Sequence, residues 1–108
     1  MVLFGNSFLM GTQEILNILK DQKKILSKEF HVQKIGLFGS YAGNLQHDGS
    51  DIDLVYVLYK GQKLGFLELE SFEAYMKEIL KTSQIDLVNQ DYLNPLVQHH
   101  MQNKVVYV

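Results

Sequence analysis

The stretch that decides the fold reads Ile35-Gly36-Leu37-Phe38-Gly39-Ser40-Tyr41-Ala42 and, with ten residues between Ser40 and the next part, resumes at Asp51-Ile52-Asp53-Leu54-Val55-Tyr56-Val57-Leu58. Its first half is an apolar run suited to a buried strand, cut short by a glycine and a small hydroxyl residue, the marks of a turn. Its second half is rich in β-branched and aromatic residues and reads as another strand, headed by two aspartates. Side chains alternate between the faces of a strand, so Asp51 and Asp53 point the same way with Cα atoms roughly 6–7 Å apart, at about 3.3 Å of rise per residue. An antiparallel pair would set the end of the first strand beside the start of the second. The turn and the two carboxylates are therefore expected to meet.

Two carboxylates so placed repel each other by about 1–4 kcal/mol at about 4 Å, depending on the local dielectric, and the pKa of one is expected to rise. A hard cation relieves that repulsion. Magnesium takes oxygen ligands at about 2.1 Å and is commonly held by one or two carboxylates together with substrate phosphates. Gly39 lets backbone approach a bulky anion, Ser40 offers a hydroxyl donor, and a short helix expected over Ser40 to Asn44 would aim partly positive amides at phosphate. The combination points to metal-assisted transfer of a nucleotide.

Such a transfer also needs a group that orients or deprotonates the nucleophile. Asp86 is the candidate. It lies in a third strand-like run, Ser83-Gln84-Ile85-Asp86-Leu87-Val88, after a helix expected from about Leu64 to Lys81 with Leu69, Phe72, Met76, Ile79 and Leu80 on its apolar face. Strand, helix, strand implies a right-handed parallel crossover, which brings the start of the third strand to the same sheet end as Asp51. Upstream, Thr12 is suited to cap a helix whose buried side carries Ile15, Leu16, Leu19, Ile25, Leu26 and Phe30. Downstream, Asn94 and Pro95 suit the cap and first position of a short helix. Its adjacent His99 and His100 diverge by about 100° and make a poor chelate, so they are read as surface residues. The expected class is α/β (α+β), a small mixed β-sheet with flanking helices, in one domain over 1–108 with 1–11 as an N-terminal extension.

Composition narrows the function. At 108 residues and 46% apolar, the chain has enough for one core and no room for a second substrate-binding domain. A formal charge of −2 argues against tight nonspecific nucleic-acid binding, and Lys20, Lys23, Lys24, Lys28 and Lys34 read as the solvated side of a helix and its neighbour. The chain has no cysteine, hence no disulfide framework, which is compatible with the cytoplasm. No stretch approaches the roughly 20 apolar residues of a membrane span. Walker-type, Gly-x-Gly-x-x-Gly and His-Glu-x-x-His motifs are absent.

Gly39-Ser40-Tyr41-Ala42, the ten-residue gap, Ser50-Asp51-Ile52-Asp53-Leu54 and Ile85-Asp86-Leu87-Val88 together resemble the minimal nucleotidyltransferase (MNT) domain of the DNA polymerase beta superfamily. Asn94-Pro95-Leu96 and Asn103-Lys104-Val105-Val106-Tyr107 are similar to that family's last helix and closing strand, so the resemblance spans about residues 12 to 108. It implies that Gly39 and Ser40 hold the triphosphate of ATP, that Asp51 and Asp53 bind Mg2+, and that Asp86 is the third carboxylate of the metal site. It also implies an antitoxin paired in a hetero-oligomer with a HEPN-domain ribonuclease toxin, transferring AMP from ATP to a tyrosine hydroxyl of that partner. The alternative it leaves is a non-catalytic antitoxin that neutralises its partner by stoichiometric binding. One departure favours that alternative. Gly43, followed by Asn44, stands where the family commonly has an arginine, whose guanidinium could bind phosphate bidentately.

Overall fold

The computed structural model describes residues 10–43, 51–102 and 104–108. Ser50, Asn44 and Asn103, and most of the expected extension over 1–11, lie outside the described residues. In chain order the elements are α1 (Thr12–Phe30), β1 (Val32–Phe38), β2 (Ile52–Leu58), α2 (Phe66–Leu80), β3 (Ile85–Asn89), a 3-10 turn (Gln90–Tyr92), α3 (Pro95–Gln102) and β4 (Val106–Tyr107).

The helices begin and end for local reasons. The Gly11 N–H at the head of α1 donates to the Glu14 carboxylate at 3.4 Å, and the Gly65 N–H at the head of α2 donates to Glu68 at 3.0 Å. Both helices stop at a residue in the left-handed region, His31 (φ 59°) and Lys81 (φ 56°), whose N–H groups close on carbonyls of the last turn. α3 starts as its sequence suggests, with the Leu96 N–H donating to Asn94 Oδ1 at 2.8 Å. Thr12 corrects the expectation made for it. Gly11 holds the cap position and Thr12 is the first helical residue, and its hydroxyl donates to the Tyr41 carbonyl far along the chain.

The sheet has the order β3-β2-β1-β4. β1 is antiparallel to β2 and to β4, and β2 is parallel to β3, as the strand–turn–strand and strand–helix–strand patterns require. Alternation divides the faces. Ile35, Leu37, Ile52, Leu54, Tyr56 and Leu58 join the buried stripe Ile15, Leu19 and Leu26 of α1 and Phe72, Met76 and Leu80 of α2 in one core. Phe72 is its centre, fully buried, with ring centroids 5.1 Å from Phe30 in a stacked pair and 5.0 Å from Tyr56 edge to face. Leu16 and Phe30 are half-buried against this core, whereas Ile25, expected inside, is 43% exposed. One residue before Leu26, it is turned about 100° off the buried stripe.

β4 is short, and Gly36 makes room for it. A Cβ on Gly36 would stand 2.5 Å from Val105 Cγ1 and 2.9 Å from Tyr107 Cδ1, closer than real side chains approach. Lys34 Nζ lies 4.5 Å from the centre of the Tyr107 ring, and the Tyr107 hydroxyl donates to Gln90 Oε1 at 2.5 Å. Replacement of Phe72 by alanine is expected to lower unfolding free energy by about 3–5 kcal/mol, read from urea denaturation.

Candidate active site

The site is built where β1 ends and β2 and β3 begin. Pairing of β1 with β2 sets Phe38 opposite Asp53, and pairing of β2 with β3 sets Asp53 opposite Asp86. Cross-strand partners share a face. Alternation from Ile52 and Leu54, which face the helices, puts Asp53 and Asp86 on the other face, and Asp51, two residues before Asp53, continues that row. The Ile52 N–H donates to the Gln84 carbonyl at 2.8 Å, fastening the two strand heads at the acidic residues. Asp51 and Asp86 are exposed and Asp53 is half-buried.

The electrostatics agree with the geometry. The Asp53 carboxyl is pushed above the usual carboxylate range, first by its burial, then by the charge of Asp86, then by that of Asp51. Each of the other two carboxylates is thus close enough to oppose ionisation of the third. Among the described residues, no three acidic or imidazole side chains already close on one metal-sized point. The arrangement is one of shared face and mutual repulsion, held open at the strand heads.

Gly39 stands against this row. Its φ is +76°, and a Cβ there would meet Asp53 Oδ2 at 2.3 Å, so a side chain is barred both by conformation and by space. Where a helix was expected over Ser40 to Asn44, Gly39–Gly43 form a turn, closed by the Gly43 N–H on the Gly39 carbonyl at 3.3 Å, and Asn44 lies outside the described residues. A turn of this kind still gathers backbone N–H groups into a concavity suited to an anion. Tyr41 is buried at 4% exposure, while Gly39 is exposed and Ser40 half-buried.

Other candidates separate from this centre. Lys23, Lys24 and Lys28 line a cavity of about 360 Å³ with Tyr59, at the Val32 end of β1 and hence away from the aspartates. His99 and His100 are exposed, their ring centroids 6.4 Å apart. Two contacts escaped sequence reading: the bond from Thr12 to Tyr41, which reaches the turn, and the close packing of β4 on Gly36, which belongs to the sheet and not to the site. A glycine inside an otherwise apolar strand was the one available signal for the latter.

An antiparallel strand pair with a glycine turn at one tip, extended by a parallel βαβ step, is the frame of a nucleotidyltransferase. The chain belongs to the polymerase beta nucleotidyltransferase family, whose pattern it matches over residues 20–108. It is 37% identical over 97 residues to MJ0128 of Methanocaldococcus jannaschii, provisionally named a protein adenylyltransferase, covering 88% of this chain and 95% of that one. It is 33% identical over 101 residues to the protein adenylyltransferase MntA of Thermococcus cleftensis, covering 93% and 98%. Among solved structures it superposes on a minimal nucleotidyltransferase with a TM-score of 0.74 at 16% identity, covering 90% of this chain and 95% of that one. It also superposes, with a TM-score of 0.59 at 18% identity and covering 86% and 70%, on a chain from the complex of an MNT antitoxin with the tri-AMPylated HEPN toxin of Shewanella oneidensis. At these identities the superpositions establish a shared fold.

Two measurements check the site. Gly39→Ala is expected to cost about 1–2 kcal/mol of stability in a chemical melt, from the left-handed backbone, and to displace the Asp53 carboxylate, seen as a shifted carboxyl resonance by NMR. Asp53→Asn tests the combined effect of burial and of repulsion by Asp86 and Asp51. With the folded pKa raised, the native carboxyl holds its proton to higher pH than the unfolded one, so stability is full below the ordinary carboxylate range and falls as pH rises through the folded pKa. In cation-free buffer at pH 7 the variant should melt at higher temperature than the parent, and the difference should vanish in acid.

Proposed function

We propose that this protein transfers AMP from ATP to a tyrosine hydroxyl of a HEPN-type toxin and is thereby its antitoxin, acting in the cytoplasm where ATP is plentiful. The observation that carries the reading is the register Phe38–Asp53–Asp86, which gathers the acidic row beside the Gly39–Gly43 turn. The names of the archaeal relatives, as protein adenylyltransferases, support the reaction, and the AMPylated toxin in the Shewanella oneidensis complex supports the partner.

The residues fit a hard divalent cation by donor chemistry. All three are carboxylates, and the raised Asp53 pKa marks a repulsion that a cation would relieve. Asp51, Asp53 and Asp86 would hold Mg2+, which when bound neutralises phosphate charge and polarises the phosphorus under attack. Gly39 and the amides of its turn receive the β- and γ-phosphates, with the Ser40 hydroxyl as a further donor. Asp86 orients the tyrosine hydroxyl and accepts its proton. The phenolic oxygen bonds to the α-phosphorus, the bond from that phosphorus to the bridging oxygen breaks, and pyrophosphate leaves. α1 and α2 cover the opposite face of the sheet, so the acceptor tyrosine has to approach from the acidic side.

Gly43 favours a second reading, a binding antitoxin that masks its partner, because it is exposed and brings no cation to the phosphate turn where the family commonly has an arginine. Labelling separates the two. With purified partner and radiolabelled ATP plus magnesium, the parent should label the toxin, and the Asp51→Asn, Asp53→Asn double variant should lose at least about 100-fold in rate, the scale set by loss of a principal charge-stabilising group. Full neutralisation of the toxin by the double variant without nucleotide would establish masking instead.

A further inference from the structure

We propose that Thr12 is a positioning residue for the nucleotide site: through the carbonyl of Tyr41 it holds the Gly39–Gly43 turn in the shape that receives phosphate. The proposal rests on the reading above that this turn binds the triphosphate, and it concerns a residue on a helix that otherwise belongs to the core side of the molecule.

Thr12 is half-buried at the first position of α1, where a threonine ordinarily serves its own helix. Here the local needs are met by others. The Gly11 N–H is taken by Glu14, and the Ile15 N–H is taken by the Gly11 carbonyl at 3.1 Å. The Thr12 hydroxyl leaves its helix and donates to the carbonyl of Tyr41 in the middle of the turn. Tyr41 is thus gripped twice, its ring in the core and its carbonyl on α1.

That grip bears on phosphate binding because a peptide unit is rigid. The carbonyl of Tyr41 and the N–H of Ala42 lie in one plane and, across a trans bond, point in opposite directions. No peptide bond in the described structure is cis. Fastening the carbonyl toward α1 therefore turns the Ala42 N–H away from α1, the helix that packs on the face of the sheet opposite the carboxylates. The other end of the turn is fixed by Gly39 against Asp53 and by the Gly43 N–H on the Gly39 carbonyl. The Thr12 bond acts on the plane of the middle peptide directly, whereas the Tyr41 ring constrains that plane only through the torsions that join it to the backbone. The effect belongs to affinity for the phosphate-bearing ligand, since Thr12 touches no reacting atom.

The test uses the whole chain with ATP and magnesium, and with Thr12→Val and Thr12→Ser variants. Valine keeps the shape and removes the donor, whereas serine keeps the donor. Calorimetric titration is expected to show a dissociation constant about tenfold weaker for Thr12→Val, the equivalent of about 1.4 kcal/mol, and within about twofold of the parent for Thr12→Ser. The Ala42 amide chemical shift, read by NMR in the ligand-free protein, should move in Thr12→Val and return in Thr12→Ser. A Thr12→Val protein that binds like the parent overturns the proposal, and so does one whose Ala42 amide shift is unchanged. So does one that melts earlier and shows a smaller active fraction while the dissociation constant stays the same, which would mark Thr12 as structural only. If the parent binds ATP and Thr12→Val has no effect, the nucleotide reading survives without this inference; if the parent binds no ATP, both fall.

Discussion

The pairing of β1 with β2 is the constraint on which the rest depends. Because the two strands run antiparallel with Phe38 opposite Asp53, the residue after Phe38 is forced into the space beside the Asp53 carboxylate. Only a residue without a Cβ fits there, and only one at ease with φ +76° can turn the chain away. A slip of one residue would send the acidic side chains into the apolar layer under α1 and α2. The apolar partners Leu37↔Leu54 and Ile35↔Tyr56 oppose such a slip, so the core specifies the register and the register builds the site.

This division of labour between faces explains how a small protein holds three acidic groups near one another. The helices and Phe72 give cohesion on one side, and the carboxylates sit at strand heads on the other, where water still reaches Asp51 and Asp86. Only Asp53 is drawn partly inside, and its proton affinity rises accordingly. A deeper site would magnify the repulsion and cost more stability than a domain with one core can spare. A shallower one would bind cations and phosphates weakly.

Much of this was legible in the residue order. Apolar runs rich in β-branched and aromatic residues marked β1, β2 and β3, and helical spacing marked α1 and α2 to within a few residues, because burial is written directly into side-chain type. The shared end of the sheet for Asp51, Asp53 and Asp86 followed from chain direction alone. What could not be read was set by distant contact. Thr12 carries the composition of a helix cap, and only the folded chain reveals that its hydroxyl goes to Tyr41. Ile25 counted as apolar and therefore inside, but the stripe has a finite width and it falls off the edge. The stretch expected to be helical after Ser40 is a turn as far as Gly43, opened by the left-handed Gly39, a conformation that motif spacing does not express.

Gly36 shows how structural need can imitate chemistry. It sits within the strand that leads to the glycine turn, yet what excludes a side chain there is the closing strand, with Val105 and Tyr107 lying across the position. In a selection for activity, a library randomised along residues 35–42 would return glycine at 36 as firmly as at 39. The first requirement is a matter of how the tail seals the sheet and the second of how the turn meets a carboxylate, so intolerance to replacement along this segment maps two unrelated demands that happen to be three residues apart.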